Sequence, residues 1–148
     1  TPLTFSGWSA LHIVQTVTSD DDRDGAPALV EFGLGMSNEN PNGGDGQAGL
    51  PAIGRAPDGR ATLSFLVPEN AAAAQNHGFA DVIYNVQAAT AVGVWTTIAT
   101  KSFGASWSGA GAAAVGAASG GFVPVTITDT AAPGAPQRFL RLQTVWVP

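Results

Sequence analysis

From about residue 61 the chain alternates apolar and polar positions with period two, the signature of half-buried strands. Leu63, Phe65 and Val67 alternate with Thr62 and Ser64 and stop at Pro68. Val82, Tyr84 and Val86 alternate with Asn85 and Gln87, and Trp95, Thr97 and Ala99 form one face of a third strand. Val123, Val125 and Ile127 make a further strand, in which Pro124 predicts an edge position or a bulge. Phe139 to Val147 reads as a long final strand, and Ser102 to Trp107 is a weaker candidate. Gly, Pro, Asn and Asp turns separate these runs. The spacing predicts a mainly β protein, an antiparallel β-sandwich.

The first 60 residues read differently. Residues 36–60 are turn-rich, with Asn38, Asn40, Pro41, Asn42, Gly43, Gly44, Asp45 and Gly46 in sequence, and are expected to be an irregular connector. Ahead of them Pro27 stands near a helix start and Leu29, Val30, Phe32 and Leu34 follow, a pattern that predicts a short helix weakened by Gly33 and Gly35. Trp8 to Val17 fits either a short helix through Trp8, Leu11, Val14 and Val17 or a strand through Ile13, Gln15 and Val17. The whole of 1–148 is expected to be one domain: an opening segment with its loop and helix (1–35), the connector (36–60), and the strands (61–148).

Composition narrows the classes. With 45% apolar residues the chain is expected to fold, and 148 residues suffice to bury a core. Only 11% of residues are charged, so the surface must be built from Thr, Ser, Asn, Gln, Ala and Gly. A net charge of -5 with six basic residues makes nucleic acid and anionic membranes poor partners. There is no cysteine, hence neither disulfides nor a thiolate metal site. The Ala/Gly/Ser stretch from Gly104 to Gly121 is too weakly apolar to span a bilayer. The start at Thr1 suggests a processed mature protein or a piece of a longer one, and secretion to the cell surface or the extracellular space is the favoured reading.

The strongest chemical signal is Asp20-Asp21-Asp22-Arg23-Asp24-Gly25-Ala26-Pro27-Ala28-Leu29-Val30-Glu31. It matches a twelve-residue calcium loop: side-chain oxygens at positions one, three and five (Asp20, Asp22, Asp24), glycine at six, the backbone carbonyl of Ala26 at seven, and a closing bidentate carboxylate, Glu31, at twelve. Without a cation the crowded aspartates repel one another. An acidic run is ordinarily a solvated turn, but five fixed positions match here. With no second complete loop, Ca2+ is expected as a structural clamp, not as a sensor. Asn38, Asn40 and Asn42 before Gly43 mimic half a loop, with Gly49 where the closing carboxylate belongs. Gly44 to Gly49 also fits a dinucleotide pattern, but it follows no strand and precedes Pro51, which marks a chance match.

In order along the chain, these blocks resemble a module found near the C-terminus of many long secreted surface proteins of environmental bacteria. That module has an early Trp, an Asp-rich calcium loop, a short helix, an Asn-Pro turn, middle strands and a final Phe-Leu-Arg-Leu strand. Trp8, Asp20 to Glu31, Leu29 to Gly35, Asn40-Pro41, Tyr84 to Ala89 with Trp95-Thr96, and Gln137 to Leu142 fit these blocks. Arg23, Ala28 and the long Ala/Gly stretch depart from it, and the loss of Asn at loop position nine makes water the expected ligand there. The resemblance implies a non-enzymatic surface or secretion-linked module without a known ligand.

Catalytic candidates are sparse. His12 lies in an apolar segment and His77 beside Gly78, where core or surface roles are the ordinary explanation. Gly104-Ala105-Ser106-Trp107-Ser108 falls one residue short of a nucleophile elbow. No enzyme is expected. Two binding readings stay open. In the first, the chain packs with copies of itself or neighbouring domains, as in a filament, surface layer or adhesin, through strand edges that lack lysine gatekeepers. Lys101 is the single lysine, and Pro2 to Phe5 and the last strand through Trp146 are the candidate edges. The Ala/Gly stretch is then either a flexible loop or a flat surface anchored by Trp107. In the second reading, a calcium-stabilised carbohydrate-binding module offers Trp8, Trp95, Trp107 or Trp146 to glycan rings.

Overall fold

The computed structural model describes Thr4, Leu34 and residues 51–70, 77–91, 93–131 and 138–147. These residues form seven strands: β1 (Ala52–Arg55), β2 (Ala61–Pro68), β3 (Val82–Ala89), β4 (Thr96–Lys101), β5 (Ala112–Val115), β6 (Phe122–Thr128) and β7 (Phe139–Trp146). They make two antiparallel sheets, ordered β1-β2-β6-β5 and β4-β3-β7. The mainly β expectation holds. The short helix and the opening segment lie outside the described residues, except for Leu34.

Alternation explains which faces meet. Leu63, Phe65 and Val67 of β2 and Val125 and Ile127 of β6 are buried on one sheet; Val82, Tyr84, Val86 and Ala88 of β3 are buried on the other. All belong to one apolar cluster, with Ile98, Ala99, Phe79 and Leu34, and with Trp107, Leu140 and Leu142 packed against its margin. Each fully buried aliphatic side chain contributes about 1.5–3 kcal/mol.

Departures from the sequence pattern have identifiable causes at three strands. β1 lies inside the segment expected to be irregular. Its four residues are all exposed, so it carries no apolar period to read; it exists because β2 pairs with it across the Asp58-Gly59 turn, where Gly59 takes φ 89°. In β4, Thr97 pairs with Gln87 and Ala99 with Val86, which leaves Ile98 as the extra residue of a β-bulge. Thr97 therefore faces outward while Ile98 and Ala99 both enter the core, so Trp95, Thr97 and Ala99 do not share one face. Ser102 to Trp107 forms no strand.

The third departure is β6, which is central despite Pro124. The carbonyl of Pro124 accepts from Gly116 N at 2.9 Å. In an antiparallel ladder the two backbone groups of a residue point the same way, so the missing N–H of Pro124 faces β5 at the place where β5 ends. Pairing with β2 is untouched. A Cβ on Gly116 would stand 2.7 Å from Pro124 Cγ, which is why a side chain is absent there.

The chain crosses from one sheet to the other after β4. Thr100 and Ser108 exchange backbone bonds at 2.8 and 2.9 Å, and Gly111 N donates to Ile98 O at 2.7 Å before β5 joins β6. Gly109 sits in this crossing with φ 124°, and a Cβ there would collide with the Ile98 carbonyl. Gly109→Ala is expected to cost about 2–4 kcal/mol in chemical denaturation, from backbone strain plus the clash. Gly104→Ala, at φ 78° in open space, should cost about 1 kcal/mol. Equal losses would refute the close approach.

The crossing from β6 to β7 is closed by an ion pair. Arg138 donates from Nε and a terminal nitrogen to the two carboxylate oxygens of Asp129, both at 2.7 Å. Asp129 is 2% exposed, and its backbone N–H extends the ladder to Ala61 O. The hydrogen bonds from Arg138 hold the Asp129 carboxyl below the usual carboxylate range against the opposing effect of burial. At the far end of β7, Val147 N donates to Asp81 O and Trp146 Nε1 to Asp81 Oδ2, at 2.8 and 3.0 Å.

Candidate functional site

The expected calcium ligands Asp20, Asp22, Asp24, Ala26 and Glu31 lie outside the described residues, as do Trp8, His12 and Pro2 to Leu3 with Phe5. Leu34, three positions after Glu31, is described and fully buried in the core cluster. Among the described residues no three His, Asp or Glu side chains gather in a way that could hold a metal.

The other singled-out side chains take structural places. His77 is buried, and its Nε2 accepts from Trp107 Nε1 at 3.0 Å. Trp107 packs edge-on against Phe65 at 5.9 Å and beside Tyr84 at 6.4 Å, so it anchors the core margin from within. The Tyr84 hydroxyl has its pKa pushed up, first by burial and then by the charge of Asp81. Lys101 is 1% exposed; its ammonium donates to Ala105 O at 2.9 Å and Ser102 O at 3.4 Å, and burial lowers its pKa. The only lysine of the chain therefore stands at the end of β4 with its charge turned inward.

Edges are the first surface of interest. The outer side of β4 is met by the 108–111 segment. Among the described residues, no strand pairs with the outer side of β1, β5 or β7. β5, part of the Ala/Gly stretch, is Ala112-Ala113-Ala114-Val115, with every side chain exposed. Because Gly116 N bonds toward β6, the alternate positions Ala114 and Ala112 do so too, and Ala113 and Val115 turn their backbone N–H and C=O outward. Their side chains share the inner face with Ile127 and Val125 and overhang a groove of about 150 Å³ lined by His77, Ser106, Trp107, Ala113 and Val115. The Ala/Gly stretch thus contains a small-residue sheet edge where sequence alone left a loop or a flat surface.

The second surface is the outer face of β4-β3-β7. Register aligns Thr97, Gln87 and Arg141 in one row and Thr100, Asn85 and Gln143 in the next. In the first row Gln87 Nε2 donates to Thr97 Oγ1 at 3.2 Å and Arg141 Nε donates to Gln87 Oε1 at 2.8 Å. In the second, Thr100 Oγ1 donates to Asn85 Oδ1 at 2.7 Å and Asn85 Nδ2 to Gln143 Oε1 at 3.3 Å. Trp95 lies just before β4 with the Arg141 guanidinium 4.1 Å from its ring centroid. Pattern reading singled out Trp95 alone; Arg141 and Gln87 were not separable from ordinary outward strand residues.

No helix among the described residues is long and apolar enough to cross a membrane. Compared with protein families, curated proteins and solved structures, the chain finds no match in any of the three.

Proposed function

We propose that this chain is a non-enzymatic, calcium-stabilised β-sandwich of the extracellular or cell-surface space that packs with copies of itself or with neighbouring domains through its sheet edges. The observation that carries this reading is β5. An edge strand normally carries lysine, proline or a bulge that blocks further pairing. β5 carries none, its residues are small and uncharged, and its outward backbone groups have no partner among the described residues. An incoming strand gains main-chain hydrogen bonds there and can place alternate side chains over the Trp107 groove.

Calcium enters on the spacing of Asp20, Asp22, Asp24, Ala26 and Glu31, which would supply hard oxygen ligands. Burial of Leu34 in the core supports a structural part for this loop, since an ion that holds Glu31 also restricts how the chain reaches Leu34. Secretion rests on the scarcity of charge and on the resemblance in block order to the C-terminal module of secreted bacterial surface proteins.

Sizing and electron microscopy of the purified chain in calcium should reveal ordered oligomers or polymers. Ala113→Pro removes an outward N–H that β6 does not use, and Ala114→Lys adds a charge to the edge strand. Both variants are expected to stay monomeric while melting within a few degrees of the parent, in keeping with changes at an exposed edge. A strictly monomeric parent, or variants that assemble as the parent does, would count against the proposal.

A further inference from the structure

We infer that the outer face of β4-β3-β7 binds an acidic saccharide, with the Arg141 guanidinium receiving a uronate carboxylate and the neighbouring amide and hydroxyl side chains receiving sugar oxygens. The site is separate from the β5 edge and does not depend on assembly.

The cation is unlike the other described ones. Arg138 is matched to Asp129, Arg60 bonds Asp58, Lys101 is buried under carbonyls, and Arg55 is turned to the Gly59 carbonyl of its own hairpin. Arg141 is exposed, and β3, β4 and β7 contain no Asp or Glu at all. Its Nε is held by Gln87 and its plane by Trp95, so the guanidinium is fixed, while both terminal nitrogens lack a partner among the described residues. A fixed planar fork suits bidentate carboxylate recognition, with little further ordering on binding.

The polar rows add a direction. Gln87 spends its amide nitrogen on Thr97 and its carbonyl on Arg141, so Thr97 keeps its hydroxyl hydrogen. Gln143 accepts from Asn85 through Oε1, and its own amide nitrogen has no acceptor among the described residues. What the face offers outward is mostly donors: Arg141, Thr97 and Gln143. Rows of side chains repeat across strands about 4.8 Å apart. A flat, donor-rich, singly cationic face beside an aromatic ring complements a sugar chain rich in oxygen acceptors and bearing carboxylates. The chain's formal charge of -5 does not forbid this, because at 0.15 M salt charges farther than about 8 Å are largely screened.

The test is calorimetric titration of the full chain, in calcium buffer, with trigalacturonate, cellotriose and triglutamate. Trigalacturonate is expected to bind and cellotriose to bind far more weakly. Arg141→Gln should weaken trigalacturonate binding about tenfold or more, Arg141→Lys should fall between, and Arg55→Gln, an exposed cation elsewhere, should change nothing. Melting curves confirm that each variant is folded. Undetectable binding of trigalacturonate at millimolar concentration, equal affinity in Arg141→Gln, or triglutamate bound as tightly as the saccharide would each overturn the assignment. The last result would mark the face as a peptide-carboxylate site.

Discussion

Arg138→Ala is expected to lower the stability of the fold by about 3–5 kcal/mol, the usual cost of stranding one member of a buried ion pair. The loss should fall toward the lower end, because Thr130 and Ala131 backbone groups also bond the Asp129 carboxylate. Asp129 and Arg138 stand at the two ends of the chain connection from β6 to β7, and those strands belong to different sheets. Breaking the pair therefore loosens a sheet-to-sheet crossing, which a surface pair would not. In a chain of this length the loss corresponds to a fall of roughly 6–15 °C in Tm.

The same pair predicts a pH dependence. The folded-state pKa of Asp129 is depressed, so its contribution is complete above the unfolded value of about 3.9 and is lost as pH falls through the lower folded value. Stability of the parent should therefore decline on acidification below about pH 4, and Asp129→Asn should flatten that part of the curve. Urea denaturation of the parent, Arg138→Ala and Asp129→Asn between pH 3 and 7 measures both effects. A loss under about 1 kcal/mol in Arg138→Ala would place the pair among ordinary surface contacts.

Removal of calcium is expected to be the second large perturbation. A ligand at a hundredfold excess over Kd stabilises the state it binds by about 2.7 kcal/mol, or roughly 5–10 °C of Tm here. The parent should melt lower in excess chelator by that amount. Asp22→Ala combined with Glu31→Ala removes a side-chain ligand and the closing carboxylate, and should make the melt indifferent to chelator. In chelator the double variant should melt at or slightly above the parent, because two mutually repelling charges are gone. A parent melt that ignores chelator would eliminate the clamp.

Much of the sheet structure was legible beforehand. Leu63, Phe65 and Val67, then Val82, Tyr84 and Val86, announced β2 and β3 because one face of each is buried and the other is not. β1 and β5 carried no such mark: with every side chain exposed, nothing in their own residues demands a partner. The bulge at Ile98 was hidden for a related reason. It depends on the register between β3 and β4, and the same residues would read as a regular strand without it. His77 with Trp107, and Arg141 with Trp95, join residues 30 and 46 positions apart, beyond the reach of any local pattern.

The sequence by itself determined the class of fold, through period-two alternation, and the candidate calcium ligands, through spacing inside one short loop. Both are local properties: alternation needs only neighbouring residues, and loop ligands converge within twelve positions. Only the tertiary structure decided that Pro124 sits in a central strand, that Lys101 at the end of β4 turns its charge inward, and that β5 presents its backbone outward. Those outcomes follow from which strands pair, and pairing is set by how two sheets together enclose one core. Burial of one side chain is a choice made by the rest of the chain.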